Sequence, residues 1–443
     1  MENVSVLSSR VAYPDGDAEY LKIVYGSGPY IFDTSGRRYF DAAGGSGSLI
    51  LGHGDDRIVE VIRSQASRLT VFPGRTMGCE VVEEYAERLV EFSPPGIDRS
   101  IIYSSGSDAV EAAIKLSLQY QGARGTPEKN KVLGRRGSYH GNTLAGLGAG
   151  GFIRRRKPYQ HVLANTFKAA PAFCEKCMFE KAPSTCSLEC ARSLEAAITA
   201  EGPETVAAFI AEPVVGAALS AATPDKRYFK RIREICDQYD ILFIADEVMT
   251  GFGRTGRRFA IEHWGAIPDI IVAGKAIGAG YFPLSAILVH AKISGLLKRN
   301  HEPFQNGHTF ACSPLGSAVA LHVLERIQGD NLVANALHRG EQLRSALSTL
   351  ALDHQIENVR GLGLMIGFDL RETESSENSQ GTELSSRFQQ LAMARGLIVY
   401  PSTGSAESEA GQHVLLLPPL NIEEHHIGFI VDAIKLALQD LEA

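Results

Sequence analysis

Apolar and polar residues alternate along "PYIFDTSGRRYFD", residues 29–41, on both sides of a "TSG" turn. That period of two predicts a hairpin, and so a small antiparallel element near the N-terminus. From about residue 80 the pattern changes. Helical-period stretches such as "EVVEEYAERLVEF" and "DAVEAAIKLSLQY" interleave with the short apolar runs "SIIYSS", "TVAAFIAEP", "ILFIADEV", "DIIVAGK" and "FPLSAILVHA". Helices alternating with short buried runs argue for an α/β fold with a mostly parallel sheet. Further along, "VRGLGLMIGFDL", "LIVYP" and "HVLLLPPL" read as strands, followed by a closing helix from Glu423. Between them "RETESSENSQGTELSS", residues 371–386, is polar enough to predict an exposed loop. No internal repeat is visible.

In such sheets ligands sit at the carboxyl ends of the strands, so residues just after each apolar run are candidates for chemistry. "ILFIADEV", residues 241–248, ends in two adjacent acids. An ionised carboxylate taken out of water costs several kcal/mol, by rough estimate, unless a cation or hydrogen-bond donor meets it. Neighbours in a strand face opposite ways, so at most one of Asp246 and Glu247 looks into any given site. The alternative is a strand that merely ends there, with both acids solvated.

Composition narrows the function classes. The chain has 443 residues, 44% of them hydrophobic, which suits a large globular core and about two domains. A formal net charge of -7 gives no basic excess for nucleic acid. The one cationic run, Arg154-Arg155-Arg156-Lys157, reads as a solvated face. No apolar stretch reaches the roughly 18 residues of a membrane span. "MENVSVLSSR" lacks the features of a secretory signal, so a cytoplasmic protein is expected. Seven cysteines, an odd number, argue for reduced thiols. Four of them, Cys174, Cys177, Cys186 and Cys190, are spaced as C-x2-C and C-x3-C, which would suit a metal or simply a loop with free thiols; the expectation is no metal.

Four motifs carry the chemistry. "SSGSDAVEAAIKLS" breaks an apolar run at Ser104-Ser105-Gly106-Ser107 and starts a helix, where free N–H groups, small side chains and hydroxyls make either a phosphate cradle or an ordinary N-cap. "GSYHGNTL" sets Tyr139 and His140 between glycines, so that a flat ring could stack on either, or the stretch could be a plain turn. "DIIVAGKAIGAG" puts Lys275 at a buried strand end, where desolvation yields a neutral, nucleophilic amine. "GFGRTG", Gly251 to Gly256, matches a dinucleotide pattern, but it follows two carboxylates that would repel pyrophosphate, and no apolar helix comes after it. A phosphate cradle, a ring stacker, a buried amine and a strand-end carboxylate at Asp246 together suit pyridoxal 5'-phosphate, whose ring nitrogen needs an anion and whose aldehyde needs a lysine.

On these residues the chain resembles the class III (omega) aminotransferases of fold type I. "GPYIFDTSGRRYFDAAGG", "LGHGDDRIVEVIRSQ", "SSGSDAVEAAIKL", "YHGNTL", "AEPVVG", "ADEVMTGFGRTG", "PDIIVAGKAIGAGYFPLSA", "GHTF" and "VRGLGLMIGFDL" are similar to the family's blocks in the family's order, over almost the whole chain. The resemblance implies a large domain over 66–325 with a mostly parallel central sheet. It also implies a smaller α/β domain built from both termini, 1–65 and 326–443. It implies that Lys275 bonds the cofactor aldehyde and later shuttles the proton, while Asp246 pairs with the ring nitrogen. Gly106 and Ser107 would hold the phosphate, Tyr139 and His140 the ring, Val248 its other face, and Glu212 would lie beside the substrate end. Thr309 of "GHTF" would reach the phosphate of a neighbouring subunit, which implies a homodimer.

Two departures bear on substrate. Asp108 stands where the family usually has Glu. "GLIVYPSTGSAESEAGQHVLLLPPL" has Tyr400 and no arginine, where many members that use pyruvate carry a mobile arginine for the keto-acid carboxylate. The expected function is transfer of an amino group from an amine or ω-amino acid to a 2-oxo acid, pyruvate or 2-oxoglutarate. The alternatives are decarboxylase, racemase or aminomutase chemistry on the same fold, a protein that holds the cofactor without turnover, and a nicotinamide oxidoreductase built on "GFGRTG".

Overall fold

A computed structural model describes residues 20–74, 76–182, 184–371, 384–403 and 412–442. Most of the polar stretch 371–386, and the N-terminal "MENVSVLSSR", lie outside the described residues. The predicted hairpin is present. Strand β1 (Ile23–Ser27) pairs with β2 (Tyr30–Asp33), which pairs with β3 (Arg38–Asp41), all antiparallel. Asp33 sets the turn, its Oδ1 accepting from the amides of Ser35 and Arg37 at 2.9 and 3.0 Å.

The central sheet has six strands among the described residues: β4 (Ile97–Tyr103), β5 (Lys131–Leu133), β6 (Val206–Ala211), β7 (Leu242–Asp246), β8 (Ile270–Ala273) and β9 (Ser285–His290). Their order is β4-β9-β8-β7-β6-β5. Strand β9 runs antiparallel to both neighbours and the other pairings are parallel. Every residue of β6, β7 and β8 is buried, as expected of strands covered on both faces. On one face, Leu242, Ile244, Ile270 and Val272 pack with Val110, Ala113 and Ile114 of the Gly106–Ala123 helix. On the other, Phe243 stacks on Phe229 of the Tyr228–Gln238 helix at 5.8 Å between ring centroids. Odd and even residues of β7 thus belong to different layers, which decides where its two terminal acids point.

The C-terminal part adds β10 (Ile356–Leu362), β11 (Met365–Leu370), β12 (Leu397–Ile398), β13 (Tyr400–Thr403) and β14 (Gln412–Leu416). "VRGLGLMIGFDL" is not one extended run but the greater part of a β10–β11 hairpin. It reverses at Gly363, whose φ of 53° favours glycine and whose place a Cβ would fill at 2.4 Å from the Thr255 backbone. Strand β12 pairs in parallel with β3, so the beginning and end of the chain share a sheet. The closing helix spans Glu424–Glu442. "GFGRTG" serves this packing: Arg254 is fully buried and its Nη1 donates to the carbonyls of Leu364, at 3.1 Å, and Pro418. Among the described residues no helix is long and apolar enough to cross a membrane.

A buried ionic cluster joins the C-terminal sheet to the rest. Asp369 Oδ1 meets Arg360 Nη1 at 2.7 Å and His413 Nδ1 at 2.6 Å, while Oδ2 meets Lys176 at 2.9 Å and accepts from Asn358 at 2.9 Å. Burial alone would raise the Asp369 carboxyl; the His413 hydrogen bond and the Arg360 charge outweigh it and hold the group far below the usual range. A depressed carboxyl stabilises the fold above its unfolded pKa, near 3.8, and that contribution fades only as pH falls toward the folded value. Asp369→Ala leaves Arg360 as an uncompensated buried charge and is expected to cost about 3–5 kcal/mol. A denaturant melt near neutral pH checks this; a midpoint equal to wild type would contradict the coupling.

Candidate active site

The carboxyl end of β7 opens on a cavity of about 180 Å³, lined among others by Gly106, Ser107, Tyr139, His140, Glu212, Asp246, Val248 and Lys275. Asp246 continues the even-numbered layer of Leu242 and Ile244 and faces this cavity. Its Oδ2 lies 2.7 Å from His140 Nδ1, and its Oδ1 accepts from the Val248 amide at 3.1 Å. Glu247 continues the odd layer and turns away. Its carboxylate accepts from the amides of Ala260 and Ile261 at 3.0 and 2.7 Å and from the Thr250 hydroxyl. Burial pushes the Glu247 carboxyl up to about 7 against these donors. Both acids are buried, so neither is the solvated end of a strand.

Lys275 follows β8 in the left-handed region, φ 46°, and lines the cavity. Burial lowers its amine to about 8, against the opposing pull of Asp246 and Glu212. Glu212 ends the run from β6; its Oε1 accepts from the Gly216 amide at 3.1 Å and its Oε2 from the Tyr139 amide at 3.2 Å. Burial raises its carboxyl, with His140 opposing and Asp246 reinforcing the shift.

Across the cavity, Ser105 caps the Gly106–Ala123 helix by accepting from the Asp108 amide at 3.2 Å, and its hydroxyl donates to Asp108 Oδ2 at 2.8 Å. Asp108 is thereby turned onto its own cap. Gly106 and Ser107 open the helix, where amides have no acceptor one turn back. A Cβ on Gly106 would stand 2.9 Å from Val248 Cγ1, and one on Gly274 3.2 Å from the same atom, so Val248 is wedged between two glycines. The Ser107 hydroxyl accepts from the Asn142 amide at 3.1 Å. Tyr139 packs edge-on against Phe152, centroids 6.4 Å apart, and donates its hydroxyl to Asn142 Oδ1 at 2.9 Å.

The cavity therefore gathers eight of the nine residues predicted from sequence. His140 is drawn to Asp246 by the hydrogen bond, where the motif alone left it as a possible ring stacker. Thr309 is exposed and is not among the lining residues. The sequence did not point to Val214, Ala217 or Met249 of the wall, nor to Arg135, which underlies Glu212 and donates to its carbonyl. Val214 and Ala217 follow β6, so the strand-end rule could have found them. The four clustered cysteines are partly buried, and burial pushes Cys174 up to about 11 and Cys190 up to about 12. Among the described residues no group of three or more His, Cys, Asp or Glu side chains is placed to hold a metal.

These residues fit pyridoxal phosphate on three counts. A lysine whose amine burial makes easier to neutralise faces the cavity, a carboxylate held by an imidazole faces it from the neighbouring strand, and a helix start with no room for a Cβ at Gly106 offers free amides. Comparison with known proteins agrees. The sequence profile of the family described as aminotransferase class-III matches residues 12–438. The chain is 33% identical over 421 residues to the uncharacterized aminotransferase YodT of Bacillus subtilis, covering 94% of this chain and 95% of that one. It is 32% identical over 430 residues to the adenosylmethionine-8-amino-7-oxononanoate aminotransferase of Geobacter sulfurreducens, covering 95% and 92%. Among solved structures, an amine transaminase from an uncultivated Pseudomonas species, in its PLP-bound form, superposes with a TM-score of 0.90 at 32% identity, covering 99% of this chain and all of that one. The chain belongs to the class III aminotransferases, pyridoxal phosphate-dependent transaminases of fold type I.

Proposed function

We propose that this transaminase takes the amino group of an amine or ω-amino acid and delivers it to a 2-oxo acid, pyruvate or 2-oxoglutarate. The supporting observation is the convergence of Lys275, Asp246 and the Gly106–Ser107 helix start on one cavity. Bound there, pyridoxal phosphate supplies an electron sink for the bond that the substrate breaks. In this reading the Gly106 and Ser107 amides and the Ser107 hydroxyl hold the phosphate. Tyr139 and Val248 hold the two ring faces. Asp246, oriented by His140, keeps the proton on the ring nitrogen. Lys275 Nζ would bond the cofactor aldehyde and, with substrate in the cavity, would serve as the base that takes up and returns the proton at the substrate carbon. Glu212, tied down by two amides, shapes the substrate end. Thr309 serves the phosphate of a second copy, so the enzyme works as a homodimer.

An absorption spectrum of the holoenzyme tests the reading. With a panel of amines and ω-amino acids and no oxo acid, at least one donor is expected to bleach the long-wavelength band, and pyruvate or 2-oxoglutarate to restore it. A band that no donor bleaches would instead favour decarboxylase, racemase or aminomutase chemistry.

A further inference from the structure

Beyond β6 the chain forms a loop, residues 212–222, and Glu212, Val214 and Ala217 of this loop line the cavity. The loop closes on itself, the Val215 amide donating to the Ala222 carbonyl at 2.9 Å and the Ser220 amide to the Gly216 carbonyl at 2.8 Å. Its far end is strained. Ser220 and Ala221 are successive residues in the left-handed region, φ 43° and 63°, and both are fully buried. A Cβ makes that conformation unfavourable, so the surroundings must hold it.

Those surroundings are the C-terminal sheet, whose strands run in the order β10-β11-β14-β13. Arg360 of β10 donates from Nη2 to the Leu219 carbonyl at 3.1 Å. Gly367 of β11 lies so near Ser220 that a Cβ there would overlap the Ser220 carbonyl oxygen. Ser402 of β13 donates its hydroxyl to the Ala217 carbonyl, and among the described residues no other group donates to that carbonyl. Of these three contacts, it is the one made to a residue of the cavity wall. Ser402 itself is buried and is not among the lining residues. On the cavity side the loop already abuts Met249, whose sulfur a Cβ on Gly216 would overlap. A wall released by the sheet therefore moves away from Met249 rather than onto it.

We propose that Ser402 is a positioning residue for substrate specificity: its hydroxyl holds the Ala217 carbonyl and so fixes how much room the wall leaves beside Glu212. The C-terminal sheet thereby limits the size of the amino donor without touching it. The inference rests on the proposed amino transfer, in which the substrate lies at this end of the cavity.

The test compares small and bulky donors in the first half-reaction. Holoenzyme is mixed, in single turnovers, with propylamine or benzylamine, and with 3-aminopropanoate or 4-(aminomethyl)benzoate, and the bleaching of the long-wavelength band is timed. In S402A the ratio of rate constants, bulky donor over small, is expected to rise about fivefold, the scale of one neutral hydrogen bond. S402C, close to serine in size but a weak donor, should shift with S402A. Cofactor affinity and the position of the band should stay at wild type in both variants, since Ser402 does not line the cavity. An unchanged ratio in S402A, equal slowing of both donors, a matching loss of cofactor affinity, or S402C behaving as wild type would overturn the role of the hydroxyl while leaving the proposed function standing. A wild-type enzyme that none of the four donors bleaches would overturn the proposed function and this inference together.

Discussion

Lys275→Ala is expected to lower turnover by at least roughly 10⁴-fold, since one residue supplies both the covalent anchor and the proton carrier. The fold should survive the change. Among the described residues no hydrogen bond or ion pair holds the Lys275 amine, and alanine keeps a Cβ where the lysine already has one, at φ 46°. Burial lowers the amine to about 8, so its charged form is costly in the folded chain. That cost applies in full below pH 8 and is relieved as pH rises toward the unfolded value of 10.5, so wild type should gain stability relative to the variant over that interval. The same titration governs capture of the cofactor. The rate at which cofactor-free wild type bonds pyridoxal phosphate should rise about tenfold per pH unit below about 8 and level off above it. The alanine variant should bind the cofactor through phosphate and ring contacts only and show no such profile. Stopped-flow absorbance and single-turnover assays read both effects; turnover near the wild-type rate would end the assignment.

What the sequence made legible here, and what it did not, follows from the range of the interactions involved. Strand ends, the helix start at Gly106 and the buried setting of Lys275 are local, and each could be read from a dozen residues. The parity of Asp246 and Glu247 was equally local, but which acid faced the cavity depended on which helix covered which side of β7. The pairing of His140 with Asp246 spans 106 residues of sequence. No pattern near either residue announces it, and only the parallel sheet brings them together. "VRGLGLMIGFDL" was apolar enough to pass for a single strand, since the turn at Gly363 is dictated by the backbone of Arg254 and Thr255, far away in sequence. The same distant contact gives "GFGRTG" a structural use: its arginine fastens the C-terminal segment.

Asp246→Asn should slow the proton-transfer step by about 10²–10³-fold, the scale of removing one preorganised electrostatic contact from a reacting centre. The substitution keeps size and shape. An amide can still accept a hydrogen bond from His140 through its oxygen, but its NH₂ then takes the place of the Oδ1 that accepts from the Val248 amide, and the side chain has lost its negative charge. A neutral side chain no longer favours a protonated ring nitrogen, so the electron sink would weaken although the cofactor remains bound. The neighbouring acid supplies the control. Glu247 lies on the opposite layer, bonded to the amides of Ala260 and Ile261, so Glu247→Gln should leave proton transfer intact and cost about 1–3 kcal/mol of stability through a mismatched buried acceptor. Single-turnover rates on the two variants should therefore separate them: the rate falls for Asp246→Asn and holds for Glu247→Gln, whose effect appears in the denaturant melt. If both variants lose rate equally, the layer argument fails, and Asp246 cannot be the residue that faces the ring nitrogen while Glu247 holds the fold.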